Sequence, residues 1–124
     1  MEFASAYIFL LKMRFENNLQ FDIQIAKSFE DYRLPPMAVQ VLIENAVKHN
    51  EISDRQPLTI HIVTNNEGYL SVSNDIQPKR TAASGTGIGL VNLAKRYRLL
   101  FKQDIQITED KEFSVCIPLI DEVQ

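Results

Sequence analysis

The chain has 124 residues, 45% of them hydrophobic and 23% charged, and a formal net charge of −3. That length fits one domain with a single core, and the acidic balance argues against a nucleic-acid binder, which carries a basic excess. A lone cysteine, Cys116, excludes an internal disulfide and suits a reducing compartment, and no apolar run approaches the roughly 20 residues that span a bilayer. The start, Met1-Glu2-Phe3, lacks the basic region that opens a secretory signal, so a soluble cytoplasmic domain without membrane contact is expected.

Residues 2–18 contain no Pro or Gly and carry two apolar stripes, Phe3/Tyr7/Leu10 and Ala4/Ile8/Leu11/Phe15. A helix apolar over so wide an arc packs against more than one neighbour. Leu19, Phe21, Ile23 and Ile25 then alternate with polar residues, the period of a half-buried strand. Pro35-Pro36 can set the first turn of a helix over 37–50. Leu58/Ile60/Ile62 and Leu70/Val72 predict two strands joined by a hairpin turn at Asn65-Asn66-Glu67-Gly68. Residues 76–84 read as a loop and 87–101 as a helix. Ile105/Ile107 and Phe113/Val115/Ile117/Leu119 predict a closing hairpin. Three helices and five strands, mostly in hairpins, imply a sheet with helices gathered on one face.

Two segments carry chemistry. Gly85, Gly87 and Gly89 fall within five residues ahead of the last helix, where backbone N–H groups and the helix N-terminus can approach an anion. The helix over 37–50 carries a polar stripe. At about 100° per residue and with Glu44 at zero, Lys48 falls near 40°, Asn45 near 100° and His49 near 140°. Leu42, Ala46, Val39, Ile43 and Val47 occupy the opposite arc, and only Val41 intrudes on the polar one. A carboxylate can act as base or order a water, an Asn oxygen can ligate magnesium, and Lys and His can face phosphate. The alternative is an ordinary solvated face with one Glu44–Lys48 pair worth a few tenths of a kcal/mol.

At this point the residues resemble a family. Leu34-Pro35-Pro36-Met37-Ala38-Val39-Gln40-Val41-Leu42-Ile43-Glu44-Asn45-Ala46-Val47-Lys48-His49-Asn50 resembles the N box of sensor histidine kinases, and Gly85-Thr86-Gly87-Ile88-Gly89-Leu90-Val91-Asn92-Leu93 their glycine-rich G box. The N box is closest in form to P-P-x-x-x-Q-x-L-x-E-N-A-x-K-H, found in the branch that partners LytTR-type response regulators. The similarity covers residues 12–119 in order and spacing.

The resemblance implies an α+β fold, a two-layer sandwich of about five mostly antiparallel strands with three helices on one face. ATP would lie between the helical layer and a lid. It implies that Asn45 coordinates Mg2+ bridging the phosphates, that Glu44 assists the attacking group, and that Lys48 and His49 lie near phosphate or ribose. Gly85, Gly87 and Gly89, with Leu90 beside them, would bring the last helix to the phosphates, and Lys79 would lie in the lid. The family's adenine-recognising pattern D-x-G-x-G falls here on Asn74-Asp75-Ile76-Gln77-Pro78, so Asn74 or Asp75 would accept from the adenine amino group and both glycines are replaced.

Only His49 and His61 occur in the chain, and neither precedes the first helix, so the phosphoacceptor histidine would lie elsewhere. Residues 1–18 then resemble the end of the dimerisation and phosphoacceptor segment, with the ATP-binding catalytic domain at 19–124. Implied partners are ATP, the phosphoacceptor helix of the same protein or of its dimer mate, and a response regulator acting through the full-length kinase. The breadth of the first helix implies a missing partner helix and favours a homodimer. The parent protein would be anchored in the inner membrane. The alternative reading is a degenerate nucleotide pocket kept for docking or dimerisation, and a superfamily ATPase working by conformational change ranks below it. Asp22 and Glu30 show no partner pattern in the sequence and read as surface charge, His61 and Cys116 as structural, and Arg96-Tyr97-Arg98 as a solvated face.

Overall fold

The computed structural model describes residues 5–34, 37–78 and 88–120. Pro35-Pro36 and the segment 79–87, with Lys79, Gly85 and Gly87, lie outside the described residues. The helices are α1 (Ser5–Phe15), α2 (Ala38–His49) and α3 (Ile88–Phe101). The strands are β1 (Leu19–Gln24), β2 (Leu58–Thr64), β3 (Tyr69–Asp75), β4 (Gln106–Glu109) and β5 (Glu112–Pro118).

They form one sheet in the order β1-β2-β3-β5-β4. The β2–β3 and β4–β5 pairs are antiparallel hairpins, and β3 pairs antiparallel with β5. Among the described strands only β1 and β2 run parallel, Leu19 opposite Leu58, which requires a long crossover. That crossover contains α2, so the helix with the polar stripe is held between two strands of the sheet it covers. The expected α+β arrangement of five mostly antiparallel strands and three helices is the one observed.

Strand alternation sorts the two faces. Leu58, Ile60, Ile62, Leu70, Val72, Val115 and Ile117 are buried on the inner face. Leu11 of α1, Val39, Leu42, Ile43 and Ala46 of α2, and Leu93 and Tyr97 of α3 complete the same core. Full burial of each large aliphatic contributes about 1.5–3 kcal/mol, so α2 is held by its apolar face and its stripe is left to other uses. The outer face carries Asp22, His61, Ser73, Ser114 and Thr108 as one row across all five strands. At the β2–β3 turn Gly68 adopts φ +84°, and the Asn65 side-chain oxygen accepts from the N–H groups of Glu67 (2.8 Å) and Tyr69 (3.0 Å).

Three expectations are corrected. Helix α1 stops at Phe15 instead of residue 18, because Glu16 takes φ +52° and the chain tightens into a 3-10 turn. Tyr97 is not on a solvated face: it is fully buried, and its hydroxyl donates to the Pro118 carbonyl at 2.8 Å. Asp22 has partners, with its carboxylate 3.0 Å from His61 Nδ1 and 3.1 Å from Gln24 Nε2. The two apolar stripes of α1 part company as well. Tyr7, Ile8, Leu11 and Phe15 turn inward, whereas Phe9, Leu10 and Met13 are each more than 60% exposed on the opposite side.

Candidate nucleotide site

The site is assembled around α2. Its first turn follows Met37, at φ +68°, and no side chain caps it; the Val41 N–H closes back on the Met37 carbonyl at 2.9 Å. The polar stripe then divides between two neighbours. Glu44 and Lys48 open, with Val47, Glu51 and Ile52, into a cavity of about 560 Å³ whose far wall is Tyr7, Leu11, Arg14 and Phe15 of α1. Burial, with the Glu44 carboxylate second, raises the Tyr7 phenol above its ordinary pKa, partly opposed by Arg14. Asn45, half-buried, lies about 100° round the helix from Glu44, and exposed His49 lies beyond it.

Val41, the apolar residue that interrupts the stripe, has a structural reason to be there. A Cβ on Gly89 would sit 3.4 Å from Val41 Cγ1, so the first turn of α3 lies directly against α2 at this point. On the helical wheel Val41 falls between Lys48 and Asn45. The packing therefore brings the start of α3, with Gly89 and half-buried Leu90, beside Asn45. Helix N-termini hold anions through unpaired N–H groups and partial positive charge.

Asn74 is 2% exposed and stands on the inner face of β3, level with Phe113 of β5. Its Nδ2 donates to the Asp75 carbonyl at 2.8 Å, which leaves the carboxamide oxygen as its acceptor end. Asp75 is exposed on the opposite face, opposite Glu112. The structure thus sets Gly89 and Leu90 near Asn45, turns Asn74 to the sheet face that the helices cover, places Glu44 and Lys48 against α1, and leaves Asp75 apart.

Two residues that sequence reasoning passed over join this site. Asn50, just beyond α2, is 5% exposed; its Nδ2 donates to the Ala46 carbonyl (2.8 Å) and its Oδ1 accepts from the Gln77 N–H (2.7 Å). Gln77 answers with its Nε2, donating to the carbonyls of Glu51 (2.9 Å) and Gln56 (3.2 Å). A polar residue just past a helix end was the available signal, and it reads equally well as a plain cap.

Among the described residues no group of three or more His, Cys, Asp or Glu is placed to hold a metal ion. A magnesium ion here would take the Asn45 carboxamide oxygen and fill its remaining positions from phosphate and water, as that ion commonly does. No helix among the described residues is long and apolar enough to cross a membrane.

A helical layer over a mostly antiparallel sheet is the fold this chain shares with solved histidine kinase catalytic domains. The chain superposes on the catalytic domain of the histidine kinase ThkA with a TM-score of 0.64 at 17% identity, covering 94% of this chain and 91% of that one. The mycobacterial sensor histidine kinase MprB superposes with a TM-score of 0.54 at 12% identity, covering 94% and 91%. In sequence, the sensor protein LytS of Streptococcus mutans is 35% identical over 122 residues, and the sensor histidine kinase BtsS of Escherichia coli 27% over 110. Each alignment covers 86% of this chain, but the chain spans only about a fifth of the relatives' length, 21% and 20%. No family model matches it. The chain is thus similar in sequence to sensor histidine kinases and in fold to their catalytic domains.

Proposed function

We propose that the chain is the ATP-binding catalytic domain of a sensor histidine kinase, passing the γ-phosphoryl of Mg-ATP to a histidine outside these residues. The observation that carries the reading is the Val41–Gly89 contact, which brings the start of α3 to within a helical turn of Asn45; buried Asn74 lies on the sheet face that the helices cover. Bound magnesium would supply charge neutralisation across the phosphates. The chain's own residues divide the remaining work. Asn45 would offer a carboxamide oxygen to the ion and the N–H groups at the start of α3 would meet the phosphate oxygens, a role in which Gly85 and Gly87 would share. The Asn74 oxygen accepts from the adenine amino group, and Lys79 supplies a lid cation.

Glu44 and Lys48 face α1, the side from which a phosphoacceptor helix of this protein or its dimer mate would enter, with Glu44 as the group that receives the histidine proton. His49 completes the polar stripe near the ribose. In the whole protein, residues 1–18 would end the dimerisation segment, a membrane anchor would lie elsewhere, and a LytTR-type response regulator would receive the phosphoryl group. The exposed stripe of Phe9, Leu10 and Met13 is the seam through which α1 would pair with its copy.

Calorimetric titration with millimolar Mg-ATP tests the reading. Heat of binding is expected for the native chain, weakened about tenfold by Asn45→Ala through the lost ion ligand. Absence of both heat and a thermal shift with the native chain would refute it. The residues at Asn74–Pro78 support the alternative of a docking module, which signalling by full-length Asn45→Ala protein would favour.

A further inference from the structure

We propose that Asn50 and Gln77 are positioning residues that hold the base end of the nucleotide pocket in register with its phosphate end. This rests on the nucleotide-binding reading above.

The segment that leaves β3 is where a nucleotide base would be read, and nothing in its own sequence gives it regular structure. It is fixed from two sides. On one, the Ile76 N–H donates to the Lys111 carbonyl at 3.2 Å. On the other, every hydrogen-bonding group of the Gln77 backbone is engaged with the chain that follows α2. The Gln77 N–H meets Asn50 Oδ1 at 2.7 Å, and the Gln77 carbonyl accepts from the Glu51 N–H at 2.6 Å. The Gln77 side chain adds its bonds to Glu51 and Gln56. Pro78 and Asn50 form an isolated antiparallel bridge at the same place.

Asn50 is the hub because it uses both ends of its carboxamide. Nδ2 is tied to the last turn of α2, and Oδ1 to the loop. A residue needed only to cap the helix would not have to be buried with its second end spent on a distant segment. Asn50 follows Asn45 by five residues, about 7.5 Å along the helix axis. Any shift of the loop relative to the ion ligand must therefore break at least one of these bonds. Proline at 78 restricts both its own φ and the conformation of Gln77 before it, so the segment arrives nearly preset. At the two positions where the resembling pattern has glycine, this chain has Ile76 and Pro78. A stiff, clamped strand exit stands in place of a pliable one.

The consequence is discrimination between bases, not phosphate binding as such. Affinities of the native chain, Asn50→Ala and Gln77→Met for Mg-ATP and Mg-GTP are measured by calorimetry alongside each protein's unfolding midpoint. Gln77→Met keeps the backbone bonds and removes only the side-chain donors. The native chain is expected to prefer ATP, with that preference reduced about tenfold by Asn50→Ala and about threefold by Gln77→Met. Equal weakening of both nucleotides, or an ATP preference unchanged within about twofold in both variants, overturns the proposal. If Asn50→Ala fails to fold, Gln77→Met decides alone. Failure of the native chain to bind either nucleotide would instead remove the nucleotide-binding reading itself.

Discussion

Tyr97→Phe isolates one hydrogen bond that fastens α3 to the sheet. The ring is fully buried, so phenylalanine fills nearly the same space, and the change removes only the donor 2.8 Å from the Pro118 carbonyl. Loss of one buried neutral hydrogen bond costs about 1–2 kcal/mol, or about 4–8 °C in Tm for a domain of this size. Burial also pushes the phenol well above its ordinary pKa. The folded pKa is raised, so the stabilisation is complete below the unfolded value of about 10 and fades as pH rises beyond it, where the unfolded phenol ionises first. The phenylalanine variant has no such group. Its deficit relative to the native chain should therefore narrow above about pH 10, the other tyrosines cancelling in the difference. Urea unfolding followed by circular dichroism at pH 7 and pH 10.5 measures both effects. A deficit below about 0.5 kcal/mol at pH 7, or one that stays constant into alkali, would refute the reasoning.

Two further outcomes follow from surface features. The Asp22 carboxyl is held below its ordinary pKa first by the Gln24 amide and then by His61. Gln24→Ala and His61→Ala should therefore each raise it, in an NMR titration of the carboxyl carbon, and a value unmoved in either variant would count against this account. A depressed folded value means that the pair's stabilisation is present above the unfolded pKa and is lost as pH falls through the folded one. On α1, Leu10→Glu places a charge in the exposed Phe9/Leu10/Met13 stripe. Sedimentation should show a concentration-dependent mass for the native chain and a monomer for the variant, and a monomeric native chain at high concentration would dismiss the seam.

The strands were legible because alternation survives wherever one sheet face is buried and the other is not. Leu58/Ile60/Ile62 and Phe113/Val115/Ile117 show it plainly. Strand partners were not legible, since nothing in the pattern of β1 distinguishes the parallel neighbour it has in β2 from an antiparallel one. The arc of α2 was readable to within a residue, but the assignment of its stripe to two neighbours was not. Only packing decides that Glu44 faces α1 while Asn45 lies further round. Val41 read as an exception and is the contact with Gly89. Tyr97 was misread because the charges of Arg96 and Arg98 flank it in sequence; in a helix such neighbours point about 100° away and say little about the residue between them. The Asn50–Gln77 clamp joins positions 27 residues apart through ordinary polar side chains, and no local pattern announces it.

Helix α3 is fastened unevenly. Near its far end Tyr97 is buried and bonded to Pro118, and Arg98 forms an exposed pair with Asp104. At its start Val91 and Asn92 are open, Leu90 is only half-buried, and Gly89 meets Val41 of α2 without a side chain of its own. Mechanically this is a rod clamped at one end and resting on a smooth bearing at the other. From Tyr97 back to Ile88 is about 13 Å, so a tilt of about 10° about the clamp would carry the first turn about 2 Å. Leu93, buried between the two ends, would shift by only about 1 Å.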